Sequence, residues 1–234
     1  MKAYYKYSDA GKPPRFGGNF VNKRDCLRYF IGAFRGADIV VIADSSARQT
    51  AQAIREMYEL EVHETELGNC GANVYMYEQA LKLQDDEIVF FAEDDYLWLP
   101  YGAEYVEEGL SYADYVSLYD HPDKYGYNSP NPYVKDGGED TRVFVSKHSH
   151  WKHTNSTTMT FGTRVWTLRK DIEVLKKHNQ GSGLPEDFNM WCELGEEGST
   201  LATPLPSRAT HLDGINNAPL IDWIEVLYGN HSNK

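Results

Sequence analysis

The stretch EIVFFAEDDYLWLP, Glu87–Pro100, decides how the chain is read. Its first part, Ile88–Ala92, is a continuous apolar run of strand length, the mark of a parallel strand buried on both faces. Three acids follow at once, Glu93, Asp94 and Asp95, and apolar residues then resume as far as Pro100. Adjacent carboxylates repel one another and need solvent, a cation or hydrogen bonds to relieve them. A hard divalent cation with oxygen ligands does this well. The plain alternative is a strand that ends in water, and the apolar sequence on both sides speaks against it.

The flanking sequence repeats the same plan. KAYYKYS (Lys2–Ser8) reads as a first strand, ADIVVIADSS (Ala37–Ser46) as a second and LEVHETEL (Leu60–Leu67) as a third. Ile88–Ala92 is then the fourth, and ADYVSLYD (Ala113–Asp120) a fifth. Between them lie helices. In Arg24–Phe34, Leu27, Phe30, Ile31 and Phe34 recur at helical spacing. Ala47–Tyr58 follows Ser45 and Ser46, which can cap it. The turn GNCGAN (Gly68–Asn73) opens Val74–Leu83, and Pro100 opens Tyr101–Leu110. Strands alternating with helices predict an α/β fold around an open, mostly parallel sheet with right-handed crossovers. Ligands of such sheets bind beyond the carboxyl ends of the strands, here Ser8-Asp9, Asp44–Ser46, Gly68–Asn73 and Glu93–Asp95.

After Asp120 the pattern changes. HPDKYGYNSPNPYVKDGGED (121–140) is rich in turn formers and predicts irregular chain. RVFVS (142–146) and TTMTFGTRVWTL (157–168) predict antiparallel strands on either side of a loop that holds three histidines. Helices are expected over Lys170–His178, Pro185–Leu194 and Leu220–Tyr228. Residues 1–120 and 121–234 therefore read as two halves of one domain, the second a smaller mixed lobe on the same sheet.

Composition narrows the function classes. Among 234 residues, 23 Lys and Arg oppose 35 Asp and Glu, a formal net charge of −12, which argues against a general nucleic-acid-binding surface. Aromatic residues make up 13%, including 17 Tyr, of which nine lie between Tyr96 and Tyr133, so flat half-polar faces gather near the expected crevice. No stretch approaches a membrane span, and the first residues lack the apolar core of a signal peptide. Three cysteines without CxxC spacing read as reduced, mostly buried thiols, and a cytoplasmic location is the expectation. Neither GxGxxG, a P-loop nor GxSxG occurs, which disfavours a dinucleotide dehydrogenase, a P-loop kinase and an α/β-hydrolase.

Glu87–Leu110 resembles the segment of GT-A fold nucleotide-sugar glycosyltransferases that carries the DxD motif. The EDD variant is similar to that of N-acetylglucosaminyltransferase I-type enzymes and fits the broader family 2 group. The resemblance implies that Asp95 ligates Mn²⁺ or Mg²⁺ bridging the donor's phosphates, and that Asp94 and Glu93 contact the ribose or the donor sugar. It runs through about residues 2–120. Tyr5, Lys6 and Tyr7 then belong to the strand and loop that cradle the base, Asp44 meets the nucleoside, and Asn69 and Asn73 stand beside the nucleotide.

In the second half, GLPEDFNMWCEL (Gly183–Leu194) resembles the place where inverting GT-A enzymes keep their base. The resemblance implies Asp187 as general base and Glu186 as second candidate. A bare helix-dipole role, worth about 0.3–1 kcal/mol, is the plainer reading of that pair. RATHLDG (Arg208–Gly214) matches the region where many GT-A proteins hold a late histidine. His211 is then a metal ligand or phosphate contact, with Arg208 offsetting phosphate charge. His148, His150 and His153 hint at zinc, but no Cys or Glu lies at ligand spacing. That loop reads instead as an acceptor contact, with Trp151 free to stack on a sugar, or as a lid. The implied activity is metal-dependent transfer of a sugar from a UDP-, GDP- or TDP-sugar to a glycan or other hydroxyl acceptor, with inversion. The alternatives are a sugar-1-phosphate nucleotidyltransferase and a non-catalytic carbohydrate- or nucleotide-binding protein.

Overall fold

A computed structural model describes residues 1–229. Nine strands form one sheet in the order Val143–Val145, His150–His153, Leu201–Leu205, Tyr115–Val116, Phe161–Arg164, Ile88–Ala92, Lys2–Tyr7, Asp38–Asp44, Glu61–Thr65. The last four run parallel to one another, and the two with continuous apolar runs, Ile88–Ala92 and Asp38–Asp44, each have a parallel strand on at least one side. Tyr115–Val116 keeps that direction but does not neighbour Ile88–Ala92. Phe161–Arg164 lies antiparallel between them. Gly162 makes this insertion possible, since a β-carbon there would meet Val106 at 2.7 Å and Phe90 at 2.9 Å.

Helices Lys23–Ala33, Arg48–Tyr58, Gly68–Ala80 and Gly102–Gly109 connect the first strands. The first starts where the Asn22 side chain accepts from Arg24 N, and it buries Cys26, Leu27, Phe30 and Ala33. Phe30, Phe34, Phe90 and Trp98 pack ring on ring, with centroids 4.4 Å apart for Phe30–Phe34, 4.6 Å for Phe34–Phe90 and 5.3 Å for Phe30–Trp98. Each such pair adds about 0.5–1.5 kcal/mol beyond area burial. The cluster holds Tyr96–Trp98 rigidly under the acids that precede it.

Several boundaries differ from the sequence expectation. Helix Gly68–Ala80 starts six residues before Val74, because Asp44 accepts from Leu67 N and Gly68 N and so supplies a cap from another strand. Ser45 and Ser46 do not cap Arg48–Tyr58, whose N-cap Ala47 instead donates its N–H to Asp9. Residues 165–168 are helical, within Val165–Lys177, and bury Val165 and Leu168 one turn apart. The histidine segment is no loop: His150–His153 is a sheet strand, and it, not residues 157–168, pairs with Val143–Val145.

Candidate functional site

Strands Lys2–Tyr7 and Ile88–Ala92 are adjacent and parallel, so Ser8 and Glu93–Asp95 emerge at one edge. Alternation along the first strand sends Tyr5 and Tyr7 to the helix Lys23–Ala33 side and Lys6 to the opposite face. The Lys6 ammonium has three N–H groups, and three acceptors take them: Asn73 Oδ1 at 2.7 Å, Glu93 Oε1 at 3.1 Å, and Asn69 Oδ1. Asn73 in turn donates to Asn179 Oδ1 at 2.8 Å, which ties this cluster to the end of helix Val165–Lys177.

Asp94 turns the other way. Its Oδ2 accepts from Lys23 Nζ and from Ser8 N, both at 2.8 Å, and the Lys23 amine also donates to Ser8 O at 2.6 Å. Burial raises the Asp94 carboxyl to about 6, against the pull of Lys23 and with the push of Asp95. Lys23 was not anticipated. A lysine in the first turn of a helix opposes the helix dipole, and that conflict is the signal that a carboxylate partner waits nearby.

Asp95 meets His211. Tyr96–Trp98 pairs antiparallel with Ala209–His211, setting Tyr96 opposite His211, and Leu212 N donates to Asp95 O at 2.7 Å. The imidazole stacks on Tyr96 with centroids 4.9 Å apart and planes 18° apart. Its Nε2 lies 3.0 Å from Asp95 Oδ2, and its Nδ1 lies 3.5 Å from Asp213 Oδ2. Burial works against the charge on His211, but the hydrogen bond it donates to Asp95 and the fields of Asp95, Glu93 and Asp213 outweigh it and lift the imidazole to about 9. Burial likewise opposes ionisation of Asp95, and His211, with Lys6 and Lys23 further off, holds that carboxyl below its ordinary value.

Among the described residues no three His, Cys, Asp or Glu side chains are gathered as a ready cation cage. The Asp95–His211 pair nevertheless fits a divalent ion. Asp95 Oδ1 is shielded from solvent and accepts no hydrogen bond, an orphan oxygen of the kind a cation satisfies. A carboxylate oxygen beside an imidazole nitrogen also suits Mn²⁺ in donor type. In the arrangement described, the proton on His211 does that neutralising work.

Asp187 is the first residue of helix Asp187–Glu196 and is partly buried, its Oδ1 accepting from Phe188 N at 2.7 Å. Burial raises its pKa and the charge of Glu93 raises it further, while His121 and His211 pull it down. Thr158 fixes the helix against the acid-bearing strand: Trp191 Nε1 donates to Thr158 O at 3.1 Å, and the Tyr96 hydroxyl donates to Thr158 Oγ1 at 2.7 Å. Glu186 is exposed and faces His178 and Asn189 instead. The structure thus joins Lys6, Asn69, Asn73 and Glu93 in one hydrogen-bonded cluster and Asp95 and His211 in a pair, with Asp94 between them in sequence, and Asp187 stands at the head of the helix that Thr158 ties to Tyr96. Lys23, Thr158, Asn179 and Asp213 join them without having been foreseen. Asp213 follows His211 by two residues, a spacing that keeps both on one side of extended chain.

Other residues stand apart. Asp44 is buried and accepts from Thr65 Oγ1, Leu67 N, Gly68 N and Ser45 Oγ, so both its oxygens hold the turn before Asn69. Tyr5 is fully buried against Phe30, and Tyr7 is buried with its phenol pushed up to about 12 by burial and by Asp9 and Asp94. Both support the acids from below. Arg208 donates to Pro100 O and lies over the Tyr105 ring at 4.5 Å, away from Asp95. Trp151 is fully buried in the main core, so it offers no face to a sugar. His148 pairs with Glu108 at 2.6 Å, while His150 and His153 lie on opposite sides of their strand, which removes the zinc reading. All three cysteines are free thiols.

No protein-family model matches the chain, and a search of curated proteins gives no match. Solved structures do match. The structure of GalNAc-T7 with UDP, GalNAc and Mn²⁺ superposes with a TM-score of 0.60 at 13% identity, over 97% of this chain and 48% of that one. The inositol-1-phosphate CTP transferase from T. maritima matches at TM-score 0.49 and 13% identity, over 97% of this chain and 94% of that one. HddC from Yersinia pseudotuberculosis matches at TM-score 0.49 and 11% identity, over 92% and 94%. The last two likenesses are too loose to bear an argument. The first, with the strand order above, identifies an α/β fold of GT-A type, and at 13% identity it speaks for the fold alone. No helix among the described residues is long and apolar enough to cross a membrane.

Proposed function

We propose that the chain is a metal-dependent glycosyltransferase that moves a sugar from a nucleoside-diphosphate sugar to an acceptor hydroxyl with inversion. One observation carries this reading. A carboxylate with an unpartnered buried oxygen, Asp95, contacts His211, and its neighbour Tyr96 is tied through Thr158 to the helix that begins at Asp187. Residues 1–120 supply the donor side and residues 121–234 the acceptor side. Asp95 and His211 hold Mn²⁺ or Mg²⁺, which when bound neutralises charge on the leaving diphosphate. Glu93, oriented by Lys6, and Asn69 and Asn73 beside it line the donor. Asp94 keeps the Ser8 loop in shape through Ser8 N and Lys23. Asp187 takes the proton of the attacking hydroxyl, and its raised pKa makes it a better base than an exposed carboxylate. Glu186, turned outward, is the weaker candidate.

Incubation with Mn²⁺ and a panel of UDP-, GDP- and TDP-sugars tests the reading. Release of the nucleoside diphosphate, with an inverted product anomer by NMR, is expected. A retained anomer removes the role of Asp187. The rival on the same fold is a sugar-1-phosphate nucleotidyltransferase, favoured by the Lys23 amine at the loop that follows the first strand. It would release pyrophosphate from a nucleoside triphosphate. Donor binding without turnover under either regime would point to a binding protein.

A further inference from the structure

An open cleft of about 590 Å³ is lined among others by His121, Asp123, Tyr127, Asn128, Ser129 and Asn216. Two of its walls are fastened to the proposed reaction centre. The Tyr119 ring lies between them: it is 5.3 Å from the His121 ring and 6.2 Å from the His211 ring, and its hydroxyl donates to Asn216 O. Asn216 is also held by Asp213, the carboxylate beside His211, which accepts from Asn216 N at 2.8 Å. His121 contributes to the field at Asp187. One ring, Tyr119, thus contacts both the imidazole on this wall and the imidazole beside Asp95.

The chemistry of the lining is selective. Its walls carry amide, hydroxyl and aromatic groups, one imidazole and one carboxylate, and neither lysine nor arginine. The nearest amines are already paired. Lys124 donates to Asn155 Oδ1 at 3.0 Å and to Ser156 Oγ and lies 3.4 Å from Asp123 Oδ1, and Lys152 pairs with Asp120 and Glu139 at 3.0 and 3.1 Å. A phosphate or carboxylate would find no lysine or arginine on the wall and would have to compete with Asp123 for Lys124 and His121. Tyr127 supplies a platform. It is 86% exposed, yet one ring face rests on Gly137, where a β-carbon would lie 3.2–3.5 Å from three ring carbons. Contact with the ring carbons rather than the hydroxyl means that the face is seated. Gly137 has φ +88°, so backbone freedom and the missing side chain both serve this contact. The opposite face stays open beside the amide groups.

We propose that this cavity is the acceptor site and that it takes a neutral polyhydroxylated ring, a carbohydrate bearing no phosphate or carboxylate, stacked on Tyr127. The assignment as acceptor site rests on the glycosyltransferase reading. Selection of a neutral ring does not, and it separates that reading from a nucleotidyltransferase, whose acceptor carries phosphate. The test is saturation-transfer NMR on the full chain with a panel of methyl glycosides and the matching hexose 1-phosphates. At least one glycoside is expected to bind, and more tightly than its phosphate counterpart. Tyr127→Ala should weaken it about tenfold or more, and Tyr127→Phe should keep it. Tighter binding of the phosphates, no glycoside binding, or a Tyr127→Ala variant that binds normally would overturn the proposal. Mn²⁺-dependent donor cleavage is measured on the same preparation. Glycoside binding with no donor cleavage would overturn the transferase reading while upholding neutral-ring selection, and cleavage with no glycoside binding would do the reverse.

Discussion

His211 donates from Nε2 to Asp95 Oδ2 across 3.0 Å while its ring lies flat on Tyr96, the residue next to Asp95. The same nitrogen that would face a metal ion holds a proton up to about pH 9. In metal-free protein the raised value makes the imidazolium a stabilising group. Its contribution is complete below the unfolded value near 6.5 and is lost as pH rises through about 9, an amount on the order of 3 kcal/mol. Urea unfolding in chelator should therefore show stability falling across that window, and His211→Gln should flatten the slope. Mn²⁺ affinity should move oppositely, rising as the proton leaves. Parallel slopes for the two quantities would separate His211 from metal binding.

Asp95→Asn keeps the shape of the side chain and removes its charge. Calorimetry should then find Mn²⁺-dependent binding of the nucleoside diphosphate abolished. The orphaned Oδ1 would have no charge to offer, and the His211 imidazolium would lose its main stabilising partner. Unchanged metal dependence in this variant would move the ion elsewhere.

Asp187→Asn should leave donor binding nearly intact and lower turnover about 100-fold or more. The acid limb of the wild-type rate profile reports the same group. Burial and Glu93 raise the Asp187 carboxyl, so activity should begin to fall at a pH above the ordinary carboxylate range as the base becomes protonated. A limb at the ordinary carboxylate value would remove proton abstraction from Asp187.

Lys6→Met tests the positioning of Glu93. The substitution leaves Asn69 Oδ1, Asn73 Oδ1 and Glu93 Oε1 without their common donor, at a cost of about 2–4 kcal/mol in urea unfolding. Donor affinity should fall as well, because Glu93 loses its orientation. Lys6→Met combined with Glu93→Gln should recover part of the stability and none of the affinity.

How far the sequence disclosed this arrangement depends on the range of the forces involved. Two of the four parallel strands announce themselves because Ile39–Ala43 and Ile88–Ala92 are buried on both faces and must be apolar throughout. The acids at Glu93–Asp95 are legible for the same local reason. Long-range partners are not. Helix Gly68–Ala80 starts early because its cap, Asp44, stands 24 residues away. His150–His153 hides its strand character because Lys152 is buried where alternation calls for an outward polar residue, and its partners Asp120 and Glu139 are distant in sequence. At Val165 tertiary packing of Val165 and Leu168 outweighs β propensity.

Lys152 also braces the segment that carries the cleft residues His121 and Tyr127. Its amine lies in the core 3.0 Å from Asp120 Oδ1 and 3.1 Å from Glu139 Oε2, and 4.4 Å from the centre of the Tyr125 ring. Asp120 and Glu139 bracket the irregular segment that carries His121, Tyr127 and Gly137. Burial and the charge of Glu139 raise the Asp120 carboxyl, while Lys152 and the Tyr125 hydroxyl oppose that rise. Lys152→Met would strand two buried carboxylates, a loss of about 3–5 kcal/mol, and should open the 121–139 segment to limited proteolysis. Adding Asp120→Asn and Glu139→Gln removes the stranded charges, so the triple variant should regain much of the stability and the protease resistance. If Lys152→Met alone resists proteolysis as well as the wild type, the segment is held by its turns and not by this ion network.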